Sequence, residues 1–185
     1  MANPIIPAPV PPQGGRYTKI VSPKLGVPEK GIVLSRAVLG VETHFIDGRT
    51  SPCLGREGGC VGCAERAGKR WKGYLFGHSQ THHCSCLFEI PADSVRRTAL
   101  LNGGAADLRG YQIELVRVGP QPNSRVLVRL RPDRDAQAKS GPEPDILSHL
   151  SHIWGLGNPF PRVNPEPVTD EEVPLPDDED EGDNE

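Results

Sequence analysis

One histidine and three cysteines, His44, Cys53, Cys60 and Cys63, constrain this chain more than any other feature. Cys60 and Cys63 form a C-x-x-C pair, and a tight turn through Gly62 presents two thiolates to a single tetrahedral ion. Cys53 lies ahead of the pair, with Gly55, Gly58 and Gly59 making the return flexible, and His44 supplies a fourth ligand from the end of a predicted strand. Three sulfurs and one imidazole leave no coordination position for water, so the expectation is a structural zinc ion. His78, His82, His83, Cys84 and Cys86 compete for the fourth place; Cys84 and Cys86 alternate with Phe88 and Ile90 and read better as core residues. An odd count of five cysteines argues against a disulfide framework. A redox pair would call for a helix N-terminus and a βαβ context, and third-cysteine and glycine neighbours stand there instead.

The rest of the chain limits what can surround such an ion. It has 185 residues, 20 of them proline and 21 glycine, enough for one modest core. Residues 1–30 are proline-rich and read as an extended or disordered arm, 31–135 as the folded domain with a zinc insertion at 44–68, 136–158 as a linker with a short amphipathic helix, and 159–185 as a disordered acidic tail. The net charge of -3 hides a split. From Glu166 onward there are eleven acidic residues and no Lys or Arg, whereas 31–135 carries fifteen Lys and Arg against ten Asp and Glu. A basic domain tethered to an acidic segment suits a polyanion-binding protein. No long apolar run or signal pattern is present, so the expectation is a cytoplasmic protein of a bacterium or a phage-infected cell.

Periodicity predicts strands over 31–46, kinked at Gly40, and over 70–76, 83–90, 111–118 and 125–131. A helix starts at Asp93 or Ser94 and stops at Gly103–Gly104. A second, amphipathic helix carries Ile146, Leu147, Leu150, Ile153 and Trp154. This order predicts a mostly β fold, a five-stranded OB-fold-like barrel with one helix between its third and fourth strands and the zinc insertion between the first two. Alternation over "KRWKGYLF" sends Trp71 inward and Lys72, Tyr74 and Phe76 outward. Tyr74 and Phe76 are then stacking candidates, with Lys69, Arg70 and Lys72 as phosphate contacts and Arg117, Arg125, Arg129 and Arg131 extending the basic surface.

The ordered set His44, Cys53, Cys60, Cys63 in such a fold, with an acidic C-terminal segment, resembles the zinc-containing single-stranded-DNA-binding proteins of T-even phages. The resemblance implies an OB-fold that holds single strands without chemistry, and an acidic tail that recruits replication and recombination partners. The ligand intervals are shorter here, and the N-terminal arm is proline-rich where that family's is basic. The charge split also suggests that the tail competes for the groove. The function expected is single-stranded DNA binding; RNA binding and a zinc-stabilised protein adaptor are the alternatives.

Overall fold

The computed structural model describes residues 18–156, apart from 57, 99–100, 102–106, 122–123 and 139–141. Its centre is β5 (Lys69–Ser79). The alternation expected there is present: Trp71 and Leu75 enter one apolar cluster, Tyr74 and Phe76 another on the opposite face. A strand apolar on both faces requires cover on both sides.

The sheet supplies its neighbours. β6 (Cys84–Pro91) runs antiparallel along one edge of β5. The other edge is shared by β2 (Glu29–Val33), opposite residues 77–79, and β3 (Leu39–Ile46), opposite residues 69–74. The single kinked strand expected over 31–46 is therefore two strands, and the break falls before Gly40. Buried Ser35 explains it. The amides of Leu34 and Ser35 both donate to Phe76 O, at 2.8 and 3.2 Å, while Phe76 N donates to Ser35 Oγ at 3.1 Å, so a side chain replaces a ladder bond there.

Two strands, the first and the fourth, fall outside the expected pattern. β1 (Lys19–Val21) lies within the stretch expected as an arm and pairs in parallel with β6; residues 1–17 of that arm lie outside the described residues. β4 (Arg49–Pro52) returns along β3 through Asp47–Gly48, both at positive φ, the geometry of a primed hairpin turn. A single helical turn, α1 (Val61–Ala64), follows it. β7 (Tyr111–Arg117) pairs with β2, and β8 (Val126–Pro132) with β7, both antiparallel.

The sheet follows the order β1-β6-β5-β2-β7-β8, with β3 and β4 branching from β5, and does not close into the expected barrel. The outer edge of β6 is taken by β1, and β8 pairs with β7 alone among the described residues. Gly26, between β1 and β2, donates to Arg117 O at the end of β7, the neighbour of β2. The larger cluster on this sheet includes Val33, Leu75, Phe88, Ile90, Ile113 and Leu115. α2 (Ala92–Arg97) seals one end through Val95 and through Ser94, whose hydroxyl donates to Val126 O at 2.6 Å. Gly31 and Gly77 flank the Phe88 ring; a Cβ on either would stand 2.5 or 2.6 Å from it.

After the short α3 (Arg134–Ala138) comes α4 (Ile146–Ile153), the amphipathic helix expected from its apolar spacing. Asp145 caps its start by accepting from Ser148 N, and Gly155, at φ 64°, ends it. It lays Ile146 and Leu150 on the second cluster, above Tyr74 and Phe76. Among the described residues no helix is long and apolar enough to cross a membrane. The acidic segment 159–185 lies outside them.

Candidate metal centre and adjoining groove

The insertion between β3 and β5 folds back so that His44, Cys53, Cys60 and Cys63 meet. Their ligand atoms all lie within 4.8 Å of one another, and three of the four residues are buried. Cys63 Sγ is 3.5 Å from Cys53 Sγ and 3.6 Å from His44 Nε2. A tetrahedral ion with bonds near 2.3 Å sets its sulfurs ~3.8 Å apart, so these separations suit one metal ion.

Local structure sets each donor. Cys53 N donates to Glu42 O at 2.8 Å, tying the end of β4 to β3. Gly55 and Gly59, both at positive φ, turn the chain so that Cys60 N reaches Gly55 O. His44 Nδ1 lies 2.9 Å from Ala67 O, so the proton sits on Nδ1 and the lone pair of Nε2 faces the sulfurs. Gly62 packs against the imidazole; a Cβ there would be 2.3 Å from His44 Cγ.

The electrostatics favour a cation. The hydrogen bond to Cys53, burial and contact with Cys60 push the Cys63 thiol up to about 11, because neighbouring thiolates penalise one another. Cys60 shifts down: burial opposes its thiolate, and the backbone amides of Cys63, Leu54 and Gly62 outweigh burial. A divalent ion removes the repulsion among the three sulfurs and uses those amides as supporting donors. The rival ligands fall elsewhere. Cys86 is in the main core, its thiol pushed up to about 12 by burial, and His82 is exposed beside Glu29 at 3.4 Å.

The expected nucleic-acid residues are divided. Tyr74 is fully buried and Phe76 nearly so, which removes both as open stacking platforms. The cause is α4: Trp154 meets Tyr74 edge-on at 5.7 Å, and the His149 ring lies 4.7 Å from that of Phe76. Lys69 pairs with Glu42 at 3.0 Å, and Lys72 with Glu89 at 2.6 Å. Arg125, Arg129 and Arg131 are all exposed, Arg129 within 3.4 Å of Glu114 and Arg131 beside Lys30 and Gln112.

Arg117 is not with them. Its Nε donates to Pro23 O at 3.0 Å, and it borders a groove of about 360 Å³ whose other walls include Thr43, Phe45, Thr50, Arg70, Lys72 and Glu89. Phe45 is 57% exposed. Thr43, Phe45, Thr50, Arg70 and Lys72 share one face through the β3–β4 and β3–β5 registers. Sequence reasoning missed Phe45, although alternation from His44, once that imidazole is a ligand, turns the next side chain outward. Comparison with protein-family models, with curated proteins and with solved structures finds no match to this chain.

Proposed function

We propose that the chain is a non-enzymatic single-stranded-DNA-binding protein that holds the strand in the groove beside the metal hairpin. The observation that carries this reading is the groove's composition: an open aromatic ring, Phe45, beside Arg70, Lys72 and Arg117, with Glu89 the one carboxylate on its walls among the described residues. Binding of unpaired strands without base readout needs cations for phosphates and ring faces for bases. Phe45 takes the stacking role that Tyr74 and Phe76 cannot fill in this packing.

The sheet is read as a variant of the OB-fold. β5 pairs with β6, β2 with β5 and β7, and β7 with β8, with α2 between β6 and β7. The ion is read as zinc in a closed Cys3His set whose role is to hold the hairpin bearing Phe45. The likeness to the T-even phage proteins points the same way, to replication or recombination inside a cell, with the acidic segment as the recruiter of partner proteins or a competitor for the groove.

Fluorescence anisotropy of labelled oligo-dT, oligo-U and duplex DNA at two salt concentrations tests the reading. Preference for oligo-dT is expected, with log affinity falling ~0.7 per phosphate neutralised for each decade of salt. Phe45→Ala is expected to weaken binding by ~1–3 kcal/mol, about 5- to 150-fold, without changing the melting temperature. Preference for oligo-U would move the assignment to RNA, and no binding to any of the three would leave the adaptor.

A further inference from the structure

A second cleft, of about 460 Å³, opens on the other face of the β3–β5 ladder, lined by His44, Gly55, Arg56, Cys63, Arg66, Ala67 and Lys69. Among the described residues its walls carry three cations and no carboxylate. Lys69 is held by Glu42, but the guanidinium groups of Arg56 and Arg66 make no ion pair or hydrogen bond among the described residues. Two exposed arginines converge on one hollow and meet no anion there among the described residues.

Arg66 adds an independent sign. It follows α1 and the helix's cap residue Glu65, and its φ is 56°. Ala67 N donates to Gly62 O at 2.9 Å, closing the helical turn across this residue. That left-handed position after a helix is one where glycine is favoured, because a Cβ is strained there. A β-carbon and a long cation therefore stand here at a local conformational cost, with the guanidinium in the cleft.

We infer that this cleft is a phosphate subsite, in which the backbone of the bound strand continues past the metal hairpin onto Arg56 and Arg66. The inference rests on the nucleic-acid reading above and deepens it. Continuity comes from β5, whose first two residues, Lys69 and Arg70, are both exposed and alternate to opposite faces, one into each cleft. A strand lying in the Phe45 groove and turning round this end of the ladder exchanges Arg70 for Lys69, Arg66 and Arg56. Phosphodiesters match a forked guanidinium in charge and geometry.

The test uses Arg66→Gly, Arg66→Lys and Arg56→Ala in the full-length, zinc-loaded protein, read by oligo-dT anisotropy from 50 mM to 500 mM salt, by melting temperature and by zinc stoichiometry. Arg66→Gly relieves the backbone and is expected to melt ~2–4 °C higher. It is also expected to lose one phosphate contact: a salt slope shallower by ~0.7 and affinity about 8-fold weaker at 50 mM salt. Arg56→Ala should show the same slope change without the gain in melting temperature, and Arg66→Lys should keep the wild-type slope. A more stable Arg66→Gly with an unchanged slope overturns the subsite. Loss of zinc from the arginine variants overturns it as well, since the cations would then be counter-charges to the thiolates. If Phe45→Ala weakens binding while both arginine variants bind as wild type, the subsite alone falls; if wild type binds no oligonucleotide, the reading beneath it falls too.

Discussion

Gly62 shows how much of the metal centre depends on a residue that is not a ligand. The imidazole of His44 occupies the space a side chain would take, with Cγ 2.3 Å from the position of a Cβ. Gly62→Ala must therefore shift the ring, break the Nδ1 contact to Ala67 O, or open the turn between Cys60 and Cys63. Disturbance of such supporting geometry lowers metal affinity by about 10- to 100-fold, and a zinc competition titration against a chromophoric chelator is expected to show that loss. The meeting of His44, Cys53, Cys60 and Cys63 was legible in the sequence, because the three cysteines lie close in the chain and their chemistry permits few other uses. The need for glycine at 62 was legible only as a turn. Its contact is with His44, across the insertion, and no local pattern encodes it. Phe45 was hidden for a related reason: its exposure follows from where β3 leaves the protection of its neighbours.

At the scale of elements, alternation in β5 sorted Trp71 from Tyr74 and Phe76 correctly, but a period of two says which residues share a face and nothing about what covers it. The cover is α4, and its own apolar spacing was readable too. What joins them is a long-range contact. α4 holds by Ile146 and Leu150, by the Trp154–Tyr74 ring pair, and by His149 beside Phe76 and 3.2 Å from Thr18 Oγ1. Burial lowers the His149 pKa from its ordinary 6.5; Asp145 pulls the other way and His152 adds to the lowering. The protonated form is thus favoured when the helix is free. For a histidine whose folded pKa is depressed, the stabilisation is fully present above 6.5 and is lost as pH falls below it toward the folded value. Acidification in that window is expected to loosen α4, seen as a red shift of Trp154 emission in a Trp71→Phe background. His149→Gln is expected to abolish the pH dependence of that shift.

For the whole molecule, the order of the five main strands and of α2 and α4 was readable from periodicity, with the stretch 31–46 divided into β2 and β3, whereas β1, β4 and the open course of the sheet were not. Lys19–Val21 is a three-residue strand between basic and proline-rich sequence, and its partner in β6 begins near Cys86, far along the chain. Non-local parallel pairing leaves no signature in either segment alone. The same architecture separates two sources of stability. None of the four residues that could hold a metal belongs to either apolar cluster, so the sheet and its core do not rest on an ion there. The insertion differs: between Ile46 and Gly68 its described residues form one short strand paired to β3, one helical turn and few buried apolar side chains, too little to order itself. Chelation is therefore expected to leave the β signature in far-ultraviolet circular dichroism largely intact, while residues 47–68 become open to limited proteolysis. Phe45 and Thr43 flank His44 on β3, and Arg70 is the second residue of β5, beside the insertion's return, so oligo-dT binding should fall in step with zinc release and recover on readdition. A metal-free protein that binds oligo-dT as tightly as the loaded one would uncouple the ion from the groove.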